Sequence, residues 1–383
     1  MEYTTIGESC SVVSGGTPSR SKTEYWRNGT IPWIKIGNIK SKYVNEYDEL
    51  ITEQGLNNSS AKLLKKGTIL YTIFATLGEV GILDTEACTN QAIAGININD
   101  PRITTDYLYY YLKSKKDYVN NIGRGVAQNN INLTTLKKFE IPLINVDKQL
   151  YIVEVLEKVE RMIGLKKKEI DDLDLLIKAR FIEMFGDVQH EEKYKGIQLR
   201  ELCTTMSGGT PSTKFPEYYE GDIPWISTIS LGPNHIDGTT AKGYITQKAI
   251  DNSATKLIRA GNILFGTRVG VGKSSLNDVD ICTNQDIVAI IGIDERKFNK
   301  LFIKHVLDAH QSYYDSIKKG ATILGITVDD LKDTLIPDAP IDVQLAFEKF
   351  VEQVDKSKLA VQQSLEKTQL LFDSLMQEYF GEN

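Results

Sequence analysis

The feature that most constrains the fold of this chain is an internal duplication of its sequence. The hexapeptide SGGTPS occupies Ser14–Ser19 and returns at Ser207–Ser212, 193 positions later in a chain of 383 residues. Three more stretches recur in the same order at offsets of 192 to 195: IPW at Ile31–Trp33 and Ile223–Trp225, CTNQ at Cys88–Gln91 and Cys282–Gln285, and LK-x-x-x-IP at Leu136–Pro142 and Leu331–Pro337. Because this repeat is far longer than a solenoid unit, each copy is expected to be a domain with an appendage.

The amino-acid composition changes once along each copy. Its first part mixes Gly, Thr and Asn with short apolar runs such as GTILYTIFA and GNILFGTRV, a pattern typical of strands joined by turns, with a few short helices. Each copy then continues with about 40 residues that contain no proline and almost no glycine. The second part therefore predicts one long helix.

The two proline-free segments carry a heptad pattern. In each of them, steps of four and three residues meet ten positions, of which eight are apolar. Five heptads in register predict a coiled-coil seam, and the alternative is a pair of amphipathic helices packed on separate domains. The predicted seam residues are Ile152, Leu156, Val159, Ile163, Ile170, Leu173 and Ile177 in the first segment, and Phe347, Val351, Val354, Val361, Leu365, Phe372 and Leu375 in the second.

Together these patterns predict an α+β fold with an internal pseudo-two-fold repeat. Two mixed α/β globular domains would lie at opposite ends of a long antiparallel two-helix coiled coil. A helix of about 38 residues is about 57 Å long at 1.5 Å per residue, so the coiled coil would act as a spacer. The predicted boundaries are 1–145 for the first globular domain, 146–186 for the first spacer helix, 187–196 for a polar linker, 197–340 for the second globular domain and 341–383 for the second spacer helix.

Composition argues against several classes of protein. No apolar run approaches the roughly 20 residues that a membrane span needs, and MEYTTIGES at the N-terminus does not look like a signal peptide. Four cysteines without CxxC spacing argue against structural zinc and fit a reducing compartment, so we expect a cytoplasmic protein that binds no membrane. A net charge of −6 argues against loose, purely electrostatic binding of nucleic acid.

The sequence also predicts no catalytic residues, no cofactor and no metal. TRVGVGKSS resembles the P-loop GxxxxGK[ST], but Thr267 takes the place of its first glycine, and Glu79 replaces Lys273 in the other copy. We therefore expect a glycine-rich turn between strands there. The chain has no Pro-Pro dipeptide, which the Asn-Pro-Pro-aromatic loop of adenine methyltransferases requires, and its four histidines lack paired metal-ligand spacing.

A run of tyrosines raises the question of base stacking. Tyr107, Tyr109, Tyr110 and Tyr111 could stack on nucleic-acid bases. They lie on a predicted helix whose counterpart in the second copy is LFIKHVL, five of whose seven residues are apolar. This correspondence favours packing in the core.

Two globular domains on a helical spacer suit a protein that grips two separated sites on DNA. The stretches GGTPSRSKTEYWRNGTIPWIKIGNI, KLLKKGTILYTIFATLGEVGIL, CTNQAI, NNINLTTLKKFEIPL and ARFIEMFGD resemble the specificity subunits of type I restriction–modification systems, and the resemblance covers both halves. It implies a non-catalytic subunit whose two target recognition domains read a two-part sequence in double-stranded DNA. It also implies that two DNA adenine methyltransferase subunits dock on the chain and that restriction (endonuclease and translocase) subunits join them.

The duplication separates framework from recognition surface. Segments that match between the copies should hold the fold, whereas segments that differ should contact DNA: KIGNIK against STISLG, and RGVAQNNIN against KGATILGIT. Lysine and arginine can hold phosphates or guanine edges, and asparagine or glutamine can pair with adenine. The predicted DNA-binding residues are Lys35, Asn38, Lys40, Arg124, Gln128, Asn129 and Asn130 in the first copy, and Thr228, Ser230, Asn234, His235, Lys318 and Lys319 in the second.

Some alternatives stay open at this point. SGGTPS matches between the copies and is predicted to shape a shared turn, although its backbone amides are an alternative site for phosphate. At the level of function, the chain could be a specificity subunit of a related system that cleaves on both sides of its site. It could also be a coiled-coil adaptor that does not bind DNA.

Overall fold

A computed structural model describes residues 2–123, 130–189, 193–320 and 322–381 of the chain. It divides into two compact units: unit 1 combines Met1–Lys167 with Gln363–Asn383, and unit 2 is Lys168–Gln362. Each unit therefore holds one copy of the globular part together with a stretch of each long helix. No helix within these described ranges is long and apolar enough to cross a membrane.

The first copy of the repeat combines short strands with helices. Its strands are β1 Glu2–Thr5, β2 Cys10–Ser14, β3 Ile31–Ile34, β4 Tyr43–Val44, β5 Glu49–Ile51, β6 Ile69–Thr72, β7 Val80–Leu83, β8 Cys88–Thr89, β9 Ile93–Ile98 and β10 Glu140–Leu143. Its helices are α1 Ile6–Ser9, α2 Glu53–Asn57, α3 Thr105–Ser114, α4 Lys116–Gly123, α5 Leu133–Lys137 and α6 Val146–Phe185. The strands form a five-stranded sheet in the order β2-β9-β6-β7-β4, a three-stranded sheet in the order β5-β3-β8 and the pair β1-β10.

The second copy repeats this plan strand for strand. Its strands are β11 Gly196–Gln198, β12 Thr204–Ser207, β13 Ile223–Ile226, β14 His235–Ile236, β15 Gly243–Ile245, β16 Ile263–Gly266, β17 Ser274–Asn277, β18 Cys282–Thr283, β19 Ile287–Ile291 and β20 Leu335–Pro337. Its helices are α7 Leu199–Leu202, α8 Gln247–Asp251, α9 Lys300–Ala309, α10 Gln311–Ile317, α11 Val328–Lys332 and α12 Ile341–Phe380. The sheet orders β12-β19-β16-β17-β14, β15-β13-β18 and β11-β20 correspond one to one with those of the first copy, so the duplicated sequence specifies one topology twice.

The larger sheet is buried on both faces, which explains the apolar runs in the sequence. In β6, Tyr71 belongs to the cluster that includes α3 and α6, whereas its neighbour Leu70 belongs to a separate cluster on the other face. In β16, Phe265 and Leu264 divide between two clusters in the same way. Successive side chains of a strand point to opposite faces, so a strand covered on both faces needs apolar residues throughout.

The two long helices run antiparallel within each unit. In unit 2, Lys358 pairs with Asp174 at 2.6 Å, and further along α6 the ring of Phe181 lies 5.6 Å from that of Phe347, earlier in α12.

In unit 1, Lys166 Nζ donates to Ser364 Oγ at 2.7 Å. The start of α6 and the end of α12 both pack on α3, through Gln149 and Phe380. The residues predicted for the seam are all buried or half-buried: Ile152, Leu156, Val159, Ile163, Ile170, Leu173, Ile177, Phe347, Val351, Val354, Val361, Leu365, Phe372 and Leu375.

Candidate nucleic-acid interface

The repeated SGGTPS segment forms a tight turn that leaves no room for a Cβ atom. The amides of Gly15 and Gly16 donate to the carbonyls of Ile93 at 3.0 Å and Thr89 at 2.8 Å. A Cβ added to Gly15 would lie 2.2 Å from the Asn90 carbonyl oxygen. Since real Cβ atoms do not approach so closely, both glycines serve close packing, and their amides are used inside the fold.

The second copy makes the same turn with the same bonds. Gly208 and Gly209 donate to the carbonyls of Ile287 and Thr283 at 3.1 and 2.8 Å, and a Cβ on Gly208 would again lie 2.2 Å from a carbonyl oxygen, that of Asn284. The structure therefore supports the shared-turn interpretation of SGGTPS. The amides of its two glycines are bonded inside the fold in both copies, so these amides are not available to bind phosphate.

The turn is also bonded to the other repeated motif, TNQ. The Thr17 hydroxyl donates to Gln91 Oε1 in the first copy, and the Thr210 hydroxyl donates to Gln285 Oε1 in the second. Segments that match between the copies thus contact each other in both.

The segments that differ between the copies start from this same end of the sheet. In unit 1, Ser14 at the end of β2 pairs with Ala94 at the start of β9, and Thr72 at the end of β6 pairs with Ile93. The Asn90 amide donates to the carbonyl of Ile34, the residue before KIGNIK, at 3.1 Å. We call this end the loop edge; in unit 1 it comprises residues 14–19, 35–42, 73–79, 89–92 and 130–131.

The loop edge of unit 2 is assembled by equivalent pairings. Gly266 at the end of β16 pairs with Ile287 at the start of β19, and the Ile326 amide donates to the Thr267 carbonyl at 2.8 Å. The edge comprises residues 207–212, 227–234, 267–273, 283–286 and the described residues of 319–327. The P-loop-like stretch belongs to it as the hairpin turn between β16 and β17, as the sequence predicted.

Ion pairs engage the predicted DNA-binding lysines of the first copy. Lys35 Nζ lies 2.8 Å from Glu49, a bond that raises the pKa of Lys35, while the hydrogen bond from Arg20 lowers the pKa of Glu49. Lys40 is 70% exposed at its side chain, and its Nζ lies 3.3 Å from Glu46. Lys40 is therefore the more accessible of the two lysines.

The predicted asparagines of the first copy have different surroundings. Asn38 is buried, and its Nδ2 donates to Asp48 at 3.2 Å. Asn130 is half-buried and its backbone pairs with Phe74. Arg124, Gln128 and Asn129 lie outside the described residues.

The second copy has the same mixture of buried and accessible candidates. Thr228 and Ser230 are buried, and the Ser230 hydroxyl donates to the Thr240 carbonyl at 2.6 Å. His235 is half-exposed with Nδ1 2.8 Å from Asp278. Lys318 pairs with Asp315, and Lys319 is exposed next to the turn that its backbone closes with Gly325.

Asn234 is engaged by two partners inside unit 2. Its Nδ2 donates to Asp355 of α12 at 2.8 Å, and its Oδ1 accepts from the buried Lys304 Nζ at 2.8 Å. Its carboxamide therefore links Lys304 of α9, in the globular part of unit 2, to Asp355 of the long helix.

The tyrosine run packs in the core, as the correspondence with LFIKHVL indicated. Tyr107, Tyr109, Tyr110 and Tyr111 are all buried. The Tyr111 hydroxyl donates to the Glu140 carbonyl at 2.8 Å, so it is satisfied inside unit 1. These side chains are not available for stacking on bases.

A pair of glutamines that the sequence analysis did not single out joins each globular part to its long helix. Gln149 is fully buried; its Nε2 donates to the carbonyls of Arg102 and Ile144 at 2.6 and 2.9 Å, and its Oε1 accepts from the Thr104 amide at 2.9 Å. Gln344 makes the equivalent contacts in unit 2. The two glutamines are 195 residues apart, so the repeat offset was the signal that could have found them.

The described residues hold no cluster of three or more His, Cys, Asp or Glu side chains able to bind a metal ion. Of the cysteines, Cys88 and Cys282 occupy equivalent buried strand positions opposite Trp33 and Trp225. Burial raises the pKa of both thiols to about 11, so they remain protonated and unreactive at neutral pH.

The type I restriction modification DNA specificity domain model matches this sequence twice, over residues 1–175 and 191–370. The chain belongs to this family. The two matches cover the two copies of the repeat, so the duplication is a duplication of the specificity domain. The chain is thus a type I restriction–modification specificity subunit, and its two domains serve DNA target recognition.

Two known specificity subunits are similar to this chain in sequence. The MjaIX specificity subunit of Methanocaldococcus jannaschii is 26% identical over 98% of this chain and 91% of its own length. The EcoR124I/EcoR124II specificity subunit of Escherichia coli is 29% identical over 42% of this chain and 41% of its own length.

Two solved structures show the same fold. One is a chain from a study of complex assembly and conformational transition in a type I R-M system, with a TM-score of 0.63, 17% identity and coverage of 99% and 97% of the two chains. The other is the type I S subunit from M. genitalium, with a TM-score of 0.53, 16% identity and coverage of 100% and 96%.

Proposed function

We propose that this specificity subunit reads a two-part sequence in double-stranded DNA, one part with the loop edge of each unit. The observation that carries the proposal is the composition of that edge. In both units an identical framework of SGGTPS, IPW and TNQ supports loops that differ, which is what two related domains need in order to read different half-sites. The accessible candidates Lys40 and Lys319 of the loop edges, with His235 at the start of β14 directly after one of these loops, would make direct contacts. Asn38 and Ser230 would set the shape of the loops.

The chain would supply specificity and leave the chemistry to its partners. We propose that it is non-catalytic, uses no cofactor, and carries two DNA adenine methyltransferase subunits joined by restriction subunits in the cytoplasm. The long helices support a scaffolding role because they expose large apolar side chains in both units. Leu165 and Leu370 are 61% and 66% exposed in unit 1, and Leu175 and Leu359 are 59% and 56% exposed in unit 2. A contiguous exposed apolar patch is typical of a surface that binds another protein, and we propose that these leucines contribute to such a patch in each unit.

Co-expression with the methyltransferase partner tests the proposal directly. Single-molecule sequencing of the host DNA would map N6-methyladenine. We expect one two-part motif with a fixed gap. A complex that neither retains DNA nor modifies any motif would contradict the proposal and favour an adaptor without DNA binding.

Substitutions in each unit test the division of the target. Lys40→Ala should weaken recognition of one half-site and Lys319→Ala the other, each by about tenfold, as for the loss of a single polar contact to DNA. Each variant is the control for the other, because each should leave the second half-site unchanged. Loss of both half-sites in either variant would argue against independent reading.

Two further tests address the long helices. Removing one heptad from both helices should change the gap between the half-sites and leave the half-sites unchanged. Leu165→Glu combined with Leu370→Glu should weaken co-purification of the methyltransferase, whereas Leu63→Glu, at an exposed leucine of the globular part of unit 1, should not. A specificity subunit of a system that cleaves on both sides of its site would give the same methylation map and differ in its cleavage pattern.

A further inference from the structure

One exposed polar contact is the same in both loop edges although the loops around it differ. The Thr17 hydroxyl donates to Gln91 Oε1, and the Thr210 hydroxyl donates to Gln285 Oε1. Both glutamine side chains are exposed. Since each carboxamide is planar and its oxygen faces the threonine, its NH₂ group points away from the threonine, and neither NH₂ group has a partner among the described residues.

Several other donors shared by the two copies are occupied within the fold, and the shared hydroxyls of Thr89 and Thr283, although unpaired within the described part of the chain, are buried. The amides of Gly15 and Gly16 bond to carbonyls, as do those of Gly208 and Gly209. The indole N–H groups of Trp33 and Trp225 also donate to carbonyls. The two glutamines are thus shared hydrogen-bond donors that are both free and exposed at the loop edge.

The contact between Thr and Gln uses only the side-chain oxygen of the glutamine, so the fold does not require the NH₂ group. A carboxylate would accept the threonine hydroxyl more strongly than a carboxamide does, because charge-assisted hydrogen bonds are the stronger ones. Glutamine keeps this oxygen, adds two donors and avoids a negative charge. The carboxylate next to Gln285, Asp286, is offset by Arg268 at 3.6 Å and by Asn284 at 3.1 Å. Each glutamine therefore offers donors without adding a negative charge that would repel an anion.

We infer that Gln91 and Gln285 each bind a phosphate of the DNA backbone, at corresponding points of the two half-sites. The inference rests on the proposed function. Bases differ between half-sites, but the sugar–phosphate backbone is the same in both, so a side chain that stays constant among differing loops matches the constant part of the ligand. Phosphate contacts of this kind position a protein on the duplex without reading sequence.

Gln91→Glu and Gln285→Glu test the inference with little risk to folding, because glutamate keeps the oxygen that accepts the threonine hydroxyl. The matched control is Gln54→Glu, which adds the same charge at an exposed residue of α2, beyond the end of β5 that lies away from the loop edge. The probes are a duplex with both half-sites and a duplex with both half-sites scrambled. Fluorescence anisotropy of the complex with its methyltransferase partner gives the affinities, and thermal melting verifies folding.

We expect each loop-edge variant to lose at least about tenfold in affinity, by the same factor on both duplexes, because a donor to a charged group is replaced by a repelling charge. Gln54→Glu should lose less than about twofold. Gln91→Ala should weaken binding without changing the dependence of affinity on salt concentration, because a neutral amide releases no counterion.

Three outcomes would overturn the inference. If Gln91→Glu binds as well as Gln54→Glu while the wild type binds DNA, the phosphate contact is wrong and the proposed function stands. If Gln91→Glu changes the preferred bases of one half-site, the glutamine reads sequence. If the wild-type complex binds neither duplex, the proposed function fails as well.

Discussion

The indole Nε1 of Trp33 donates a hydrogen bond of 3.0 Å to the carbonyl oxygen of Gly16. In the other unit Trp225 donates to Gly209 at 3.0 Å. The bond joins two motifs that are separate in sequence and explains why both were retained in both copies. A buried indole N–H needs an acceptor, and the tight glycine turn brings a carbonyl to it. The loop edge of each unit is thus held by its own framework.

Trp33→Phe should destabilise unit 1 by about 1–3 kcal/mol, because it leaves the buried Gly16 carbonyl without its donor. Denaturant unfolding of the full chain measures the change. Trp26→Phe is the control, since the Trp26 indole donates to Ser19 at an exposed position and should cost less. Equal effects of the two substitutions would show that the bond to Gly16 contributes no more to the stability than the exposed bond to Ser19 does.

Gly15→Ala should cost about 3 kcal/mol, because the new methyl group overlaps the backbone of Asn90 and the fold must shift to admit it. Gly37→Ala, in the neighbouring loop, meets no atom within 4 Å and should change the stability by less than about 1 kcal/mol. Thermal melting of both variants measures the difference. A tolerated Gly15→Ala would mean that the turn has room for a Cβ atom at this position.

Gln149→Leu should destabilise unit 1 by about 3 kcal/mol or more, because it leaves two carbonyls and one amide without their partner. Gln344→Leu should act in the same way on unit 2. Urea unfolding followed separately in the two units, by the local tryptophans, would assign each effect. Gln353→Leu, at an exposed position of α12, is the matched control and should be nearly neutral. If Gln149→Leu lowers the stability of both units equally, the contact is not local to unit 1.

Unit 2 should lose stability in mild acid, and unit 1 should not. All four histidines of the chain lie in unit 2. Burial lowers the pKa of His305 and of His310 below the usual value for histidine. Their stability contribution is therefore present above pH 6.5 and is lost as the pH falls below 6.5, because the unfolded chain then binds more protons than the folded one.

Calorimetry at pH 7.5 and pH 5.5 would resolve this difference. We expect the transition of unit 2 to move to lower temperature while that of unit 1 stays. His305→Tyr should reduce the shift, because it removes a buried titrating group and introduces the residue that Tyr110 provides at the corresponding position of unit 1. Equal shifts in both units would contradict the expectation.

Much of the fold was accessible from the sequence because the chain repeats. SGGTPS, IPW and TNQ recur at a nearly constant offset, and this requires one plan built twice. The heptad pattern likewise indicated two long helices, which extend over Val146–Phe185 and Ile341–Phe380. Both the repeated motifs and the heptad periodicity can be recognised in one sequence, because neither requires that the contacts between distant residues be known.

The tertiary structure decided which polar side chains are buried or hydrogen-bonded and which are accessible. Asn38 and Asn234 look as suitable for reading DNA as Lys40 does, yet Asn38 is buried against Asp48, and Asn234 is bonded to Lys304 and to Asp355, which lies 121 residues away. The sequence by itself determined the duplication, the strand-rich parts and the helices. Only the tertiary structure decided which donors remain free, because a hydrogen bond depends on the partner that folding brings within reach, wherever that partner lies in the chain.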